Sequence, residues 1–184
     1  MLDIEIMGAA AQCDRIIFLR ILGIDPGLTS TGYGLIDVID RDLEAVEGGV
    51  VRTKSDQPME QRLYSIYSVI RDVIKEFKPE VVAIEDLHSR FAKTALLLGH
   101  ARGVVVLAAG EAKLPVFNYQ PTRAKNLVTG SGRADKEQMK QAIAAHLGTP
   151  DAAKNEHVAD AFSIAIAHAV MAGSSAVAAI EAAK

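Results

Sequence analysis

The chain has 184 residues, which is enough for one domain that buries its own hydrophobic core without disulfides. Its composition, 49% hydrophobic, 5% aromatic and 23% charged, excludes a disordered chain and is typical of a compact α/β protein. A net charge of −3 argues against a nucleic-acid binder that is basic overall. The single cysteine, Cys13, cannot form an internal disulfide, and the sequence has no zinc-type spacing of Cys and His.

The sequence divides into one predicted domain and two flanking segments. Residues 1–18 carry acids where a secretory signal peptide has its basic region, so we interpret them as an N-terminal extension of unknown role. Residues 19–171 contain all the predicted strands and helices. The alanine-rich residues 172–184 are interpreted as a C-terminal tail.

The segment of residues 161–180 contains no Asp, Glu, Lys or Arg and is long enough to cross a membrane. It is built largely from alanine, includes His168, and is interrupted by Gly173 and two serines. These features favour a buried helix that ends near residue 171 and is followed by a loose tail. No membrane contact is predicted, and the expected location is the reducing cytoplasm.

Three strands and a helix are predicted in the first half of the chain. Residues 20–25 form the first strand, glycines punctuate the turn into GYGLIDVI as the second, and VEGGVVRT supplies the third. Their connections are too short for parallel pairing, so an antiparallel meander is expected. Residues 58–77 keep apolar side chains at helical spacing and begin with Pro58, which suits the first turn of a helix.

Strands and helices alternate in the second half. VVAIE at residues 81–85 is predicted as a buried strand, residues 93–112 as a mostly apolar helix, and residues 115–119 as a fifth strand. Two further helices are predicted at residues 135–147 and 155–171. The order βββαβαβαα is the ribonuclease H-like arrangement, an α/β fold in which helices flank a mixed five-stranded sheet.

Two carboxylates stand at the ends of predicted strands. Asp25 ends ILGID and Glu85 ends VVAIE, and the first and fourth strands are neighbours in this arrangement. His157 and Asp160 lie three residues apart on the last predicted helix and so project from one face. Carboxylate oxygens are the ligands that Mg²⁺ and Mn²⁺ prefer, and two such ions can activate a water for phosphodiester hydrolysis. The four side chains therefore predict a divalent-metal site.

Positive charge is concentrated in the middle of the chain. Residues 86–140 contain nine Lys or Arg and four acids, a balance of +5, whereas the remaining 11 basic and 19 acidic residues give −8. These bases could simply be the solvated faces of helices. The neighbouring metal site favours the alternative, in which they bind phosphates.

Six stretches of the sequence, in order, resemble the RuvC-type Holliday junction resolvases over about residues 19–170. They are ILGIDPG…TGYGLI, VVAIED, LGHARGVVVLAA, LPVFNY, AKNLVTGSGRADKEQM and HVADAFSIAIAHA. The resemblance implies a metal-dependent crossover junction endodeoxyribonuclease that resolves Holliday junctions by paired symmetrical nicks during recombination and repair.

The resemblance also implies roles for individual residues. Asp25, Glu85, His157 and Asp160 match the catalytic metal-binding residues of the family and would hold two Mg²⁺ or Mn²⁺ ions. Lys125 and Lys136 match basic residues near the scissile phosphate. The side chains predicted to contact DNA are His88, Arg90, Phe91, Lys93, Arg123, Lys125, Arg133 and Lys136. The implied partners are four-way junction DNA, a second copy of the chain, and the RuvA-RuvB branch-migration complex.

The sequence departs from the family pattern at two positions. His157 stands where many members have Asp, and because imidazole is a softer ligand than carboxylate we expect Mn²⁺ to be favoured over Mg²⁺. His88 stands where an aromatic residue commonly stacks on a junction base, and Phe91 is the alternative stacking residue.

The sequence also allows two other classes of function and another role for His157. DPGLTSTGYG also resembles the phosphate loop of the actin and sugar-kinase superfamily, but those proteins duplicate the fold into two lobes, and 184 residues supply one. A junction-binding module without catalysis is a third possibility, which the intact acidic residues disfavour. His157 could also serve only as a hydrogen-bonding partner of a carboxylate.

Overall fold

The computed structural model describes residues 18–40, 42–86 and 91–182. The five strands of its sheet are β1 (Phe18–Asp25), β2 (Ser30–Ile39), β3 (Asp42–Arg52), β4 (Val81–Glu85) and β5 (Val116–Tyr119). They lie in the order β3-β2-β1-β4-β5. β1, β2 and β3 pair antiparallel, whereas β4 is parallel to both β1 and β5. The predicted mixed five-stranded sheet is confirmed.

In the described ranges, five α-helices and one short 3-10 helix accompany the sheet. They are α1 (Met59–Phe77), α2 (Ala92–Glu111), α3 (Pro121–Thr129), α4 (Lys136–Leu147), the 3-10 helix Pro150–Ala153, and α5 (Glu156–Ala182). By length and composition α2 is the one helix within the described ranges that could span a membrane, a test that the apolar helices of globular proteins also pass.

Two predictions about helices were wrong. α3 was not predicted, although Pro121 opens it and Gly130, with φ 76°, ends it in the left-handed conformation that favours glycine. The last helix was expected to end near residue 171 but continues to Ala182 through Gly173. One glycine weakens a helix by about 1 kcal/mol, and the surrounding alanines, which have the highest helix propensity, outweigh it.

The sheet separates two hydrophobic layers. Leu22 and Ile24 of β1 face α1 and α2, where Ile66, Ile70 and Val105 are buried. Side chains on the opposite face of the sheet, including Ile21, Ile36 and Ala83, pack with α3, α4 and α5. The period-2 alternation of β1 thus supplies both layers from one strand.

Glycines in the sheet let α5 approach the backbone directly. A Cβ on Gly23 would lie 2.1 Å from the carbonyl oxygen of Ala161, and one on Gly32 would lie 2.0 Å from that of His157. No side chain fits in such a space. The first two turns of α5 are therefore pressed against β1 and β2, beside the end of β1 where Asp25 lies.

Candidate active site

Asp25 and Glu85 end two neighbouring parallel strands. Ile24 pairs with Ile84 in the register of β1 and β4, so the two carboxylates that follow lie side by side at the same edge of the sheet. The two carboxyls interact, and this interaction contributes to the raised pKa of Glu85. The prediction that the strands bring these acids together is confirmed, whereas their catalytic role stays a prediction.

α5 brings His157 to the same edge. Its Nδ1 lies 3.0 Å from Oδ2 of Asp25, across 132 residues of sequence. The backbone N–H of His157 donates to the side-chain oxygen of Asn155, 3.1 Å away, which satisfies a free amide at the start of the helix. The close approach at Gly32 and this cap together fix where the imidazole lies.

The surroundings of Glu85 and Asp160 oppose the ionisation of these two carboxyls. Burial, together with the negative charges of Asp25 and Asp160, raises the pKa of Glu85 to about 8. Asp160 is open to solvent at the mouth of the site, yet partial loss of surrounding water and the charges of Asp25 and Glu156 raise its pKa to about 6. At neutral pH Glu85 therefore holds a proton that it can donate to Asp25.

This arrangement suits a divalent cation chemically. In the ranges that the structure describes, no three Asp, Glu, His or Cys side chains are arranged to enclose a metal ion as they stand. The donor set nevertheless fits hard divalent ions, because burial and the repulsion of neighbouring negative charges penalise the ionised carboxylates of Glu85 and Asp160 until positive charge enters. A bound cation would take the place of the proton on Glu85.

The two predicted catalytic lysines lie on different helices at the rim of the site. Lys125 of α3 interacts with the Glu85 carboxyl and lowers its pKa, and its Nζ is 3.5 Å from the carbonyl oxygen of Ala134. Lys136 begins α4, and its Nζ lies 2.5 Å from Oε1 of Glu156. This ion pair raises the pKa of Lys136. Both lysines are thus within electrostatic reach of the acids.

The other predicted DNA contacts are only partly within the described structure. His88 and Arg90 lie outside the described residues. Phe91 is 75% exposed at the N-cap position of α2. Three basic residues are also exposed, at the start of α2, in α3 and in the loop before α4: Lys93, Arg123 and Arg133. Among the described residues, no ion pair joins Lys93, Arg123 or Arg133 to the carboxylates of the site.

Sequence reasoning missed three polar residues near the site. Glu156, which pairs with Lys136, looks like an ordinary acid in the first turn of a helix. Arg62 and Thr53 form a buried hydrogen bond behind the turn that follows Asp25. Arg62 carried one signal, since it stands on the buried face of a predicted amphipathic helix where an apolar residue is usual.

Comparisons with known proteins place the chain in a family. A sequence profile described as "Crossover junction endodeoxyribonuclease RuvC" matches residues 21–168. Two proteins of that name, from Desulforamulus reducens and Desulfitobacterium hafniense, are 41% and 46% identical over 150 and 152 residues. The matches cover 81% and 82% of this chain and 92% of each relative.

A solved structure supports the same assignment at the level of the fold. The structure described as "T. thermophilus RuvC in complex with Holliday junction substrate" superposes with a TM-score of 0.80 at 35% sequence identity. The superposition covers 84% of this chain and 94% of the other. The predicted ribonuclease H-like α/β fold is confirmed.

Proposed function

The chain belongs to the RuvC family of crossover junction endodeoxyribonucleases, and from this membership we propose that it resolves Holliday junctions by paired nicks during recombination and DNA repair. The observation that carries the proposal is the meeting of Asp25, Glu85 and His157 at one edge of the sheet, beside Asp160 and two lysines. Metal-assisted hydrolysis of a phosphodiester uses this combination of acidic ligands and cations.

The family is one of metal-dependent nucleases, and we propose two Mg²⁺ or Mn²⁺ ions as the cofactors. Asp25, Glu85, His157 and Asp160 would hold them. When bound, such ions stabilise negative charge on the phosphate and make a water nucleophilic at neutral pH. The hydrogen bond between Nδ1 of His157 and Asp25 leaves Nε2 as a free ligand atom when Nδ1 carries the proton.

The protein groups then act on charge and protons. Glu85 would give up its proton on binding a cation, since positive charge offsets the burial and the repulsion that hold its pKa near 8. Lys125 and Lys136 would neutralise negative charge that develops on the phosphate. A charged group that is held in place contributes about 3 kcal/mol in this way. Lys136 must first leave Glu156.

DNA recognition in this proposal depends on branched shape and phosphates. The junction complex of the Thermus relative supports four-way junction DNA as the substrate. The basic surface of residues 86–140 would supply the phosphate contacts, with Phe91 or His88 stacking on a base. His88, Arg90, Phe91, Lys93, Arg123, Lys125, Arg133 and Lys136 remain the proposed contacts.

We further propose that the protein acts as a homodimer that pairs through α2. The exposed side of this helix carries Leu96 at 62% exposure and Leu107 at 61%, with Gly103 and Gly110 between and beyond them. Nothing lies within 4 Å of a Cβ built on either glycine. A stripe of leucines and bare backbone allows a second α2 to pack closely, and two sites are needed for two nicks.

We also propose a branch-migration partner and a cellular location. The sequence lacks the GxxxxGK[ST] motif of nucleotide hydrolases, so any branch migration coupled to cutting would come from the RuvA-RuvB complex. A cytoplasmic location is expected from the single cysteine. No observation favours the phosphotransferase alternative.

The test of the proposed activity compares two substrates of matched sequence. The purified protein is incubated with a labelled four-way junction, whose core samples several sequences, and with a linear duplex, each in Mg²⁺ or Mn²⁺. We expect symmetrical paired nicks in the junction alone. Tight junction binding without nicks would support a binding module instead, and the absence of both binding and nicks would overturn the proposal.

A further inference from the structure

Arg62 is a buried cation held by hydroxyl groups. It lies in the first turn of α1 with 8% of its surface exposed. Its Nε donates to Oγ1 of Thr53 at 2.9 Å and its Nη2 to Oγ1 of Thr29 at 3.3 Å. Within the described part of the chain no carboxylate forms an ion pair with it. Burying a guanidinium is costly, so this charge needs an explanation beyond packing.

The hydrogen bonds of Arg62 lead to the turn that follows Asp25. Oγ1 of Thr53 accepts from Arg62, so its single proton is directed to the carbonyl oxygen of Leu28, 2.6 Å away. The backbone N–H of Thr53 donates to the carbonyl oxygen of Thr29 at 3.0 Å. The turn is thus held from the β3 side by two bonds to Thr53 and from the α1 side by Arg62.

The same turn is also held from within. Oγ1 of Thr31 donates to the carbonyl oxygen of Gly27 at 2.7 Å. β1 ends at Asp25 and β2 begins at Ser30, so residues 26–29 are the whole connection between the Asp25 carboxylate and the next strand. A displacement of this connection would be transmitted directly to Asp25.

We propose that Arg62 and Thr53 are positioning residues that clamp the turn at residues 26–29 and thereby aim the Asp25 carboxylate at its partners. The clamp acts on the alignment of Asp25 with His157, 3.0 Å away, and with Glu85. Neither residue needs to touch DNA or metal. This inference rests on the proposed nuclease function, because Asp25 matters for the rate only if the site is hydrolytic.

The size of the expected effect follows from the geometry of catalysis. A misplacement of a reacting group by about 1 Å can slow a reaction roughly a hundredfold, whereas substrate binding through distant phosphate contacts is unaffected. Loss of the clamp should therefore lower the rate of cutting by the fully bound protein and leave junction affinity unchanged. A purely structural residue would lower both through the loss of folded protein.

The decisive variant is Thr53→Val, which keeps the shape of the side chain and removes the hydroxyl. We expect a fall of roughly tenfold or more in the single-turnover rate at saturating junction, with the dissociation constant within about twofold of wild type. Thr53→Ser should restore the rate. Thr149→Val is the matched control, because Thr149 begins the 3-10 helix without a side-chain capping bond.

A second readout does not depend on activity. Amide hydrogen exchange in residues 27–31 should become faster by roughly tenfold in Thr53→Val and stay unchanged in Thr149→Val, since exchange reports the local opening of the turn. A wild-type protein that fails to cut would contradict the proposed function, whereas the exchange result would still decide the clamp.

Two outcomes would overturn the inference. One is cutting by Thr53→Val at the wild-type rate with unchanged exchange of the turn. The other is a rate loss that matches the loss of folded protein and of junction affinity. If Thr53→Val does not fold, Arg62→Lys decides by the same criteria, because lysine keeps the charge and cannot bond both Thr53 and Thr29 through a planar fork.

Discussion

Glu156 forms an ion pair with the ammonium group of Lys136, which the proposed mechanism assigns to a DNA phosphate. Both members of its pair with Lys136 are exposed, so the bond contributes little to stability and is easily exchanged. A phosphate that approaches Lys136 must displace Glu156 and is repelled by it. We therefore expect Glu156 to weaken junction binding.

Glu156→Gln should bind the junction a few-fold more tightly, because Lys136 becomes free to contact a phosphate. The slope of log affinity against log salt concentration should steepen by about one, as expected for one added phosphate contact. Fluorescence anisotropy across a salt series measures both. Glu137→Gln is the control, since Glu137 is also a first-turn acid. Equal slopes for wild type and Glu156→Gln would contradict the assigned competition.

His157 predicts a preference between metal ions. Imidazole is a softer ligand than carboxylate, so Mn²⁺ should support faster junction cutting than Mg²⁺ at equal concentration. His157→Asp should reduce that preference, because all four proposed ligands are then carboxylates. Nicking rates measured in each metal test this, and equal rates in wild type would rule the preference out.

At the scale of single residues, the sequence predicted positions better than interactions. The strand-end location of Asp25 and Glu85 followed from apolar runs that lead into an acid. The pair of Lys136 with Glu156 spans 20 residues between two helices, and no local pattern encodes such a contact. The hydrogen bonds of Arg62 to Thr53 and Thr29 were not predicted for the same reason.

The contact of α5 with the sheet depends on glycine. Gly32→Ala would place a Cβ 2.0 Å from the carbonyl oxygen of His157, so the helix must shift away from β2. We expect a loss of about 1–3 kcal/mol in the free energy of unfolding and a larger relative loss of cutting, because His157 moves with the helix. Denaturant titration and the junction assay measure the two effects.

The matched control is Gly173→Ala in α5 itself. Gly173 has nothing within 4 Å of its would-be Cβ, so Gly173→Ala should leave cutting unchanged and add up to about 1 kcal/mol of stability from helix propensity. Equal stability losses in Gly32→Ala and Gly173→Ala would contradict the close packing of α5 on β2.

A substitution in α2 tests the proposed dimer. Leu107→Glu places a charge on the exposed stripe of α2, where a paired helix would bury it at high cost. We expect the variant to be monomeric by light scattering while its thermal unfolding stays close to wild type. Lys113→Glu, beyond the end of α2, is the control. A wild-type protein that is monomeric at micromolar concentration would contradict pairing through α2.

Elements were predicted where periodicity was long and undisturbed. All five strands and the helices α1, α2 and α4 followed from apolar spacing. α3 was missed because nine residues with mixed polar spacing give no strong pattern, and the extent of α5 was missed because Gly173 was weighed more heavily than the alanines around it. The domain limits and the role of residues 172–184 stay predictions.

For the whole molecule, the raised pKa values of the acids predict how stability depends on pH. Glu85 titrates near 8 in the fold against an ordinary 4.5, and Asp160 near 6 against 3.8. The folded protein therefore binds more protons than the unfolded chain between these values, so the free energy of unfolding of the metal-free protein falls as pH rises from about 4.5 to about 8.

Thermal unfolding with and without metal measures this dependence. A loss of 1 kcal/mol lowers Tm by about 2–4 °C in a domain of this size, and added Mn²⁺ should raise Tm more at pH 8 than at pH 5. Burial lowers the pKa of His168, which works in the opposite direction below its ordinary value of 6.5. The difference between wild type and Glu85→Gln isolates Glu85, and parallel curves for the two would contradict its raised pKa.

In the proposed mechanism the carboxylate of Asp25, aligned with Glu85 and His157, is needed for hydrolysis rather than for binding of the junction. The most direct measurement is junction cutting and junction affinity by Asp25→Asn beside wild type, in Mn²⁺ and on one labelled four-way junction. Asparagine keeps the size of the side chain and removes its charge. We expect paired nicks by wild type, loss of cutting by at least about a hundredfold in the variant, and junction affinity at least as tight as wild type. Cutting by Asp25→Asn at a rate near wild type would contradict this role of Asp25.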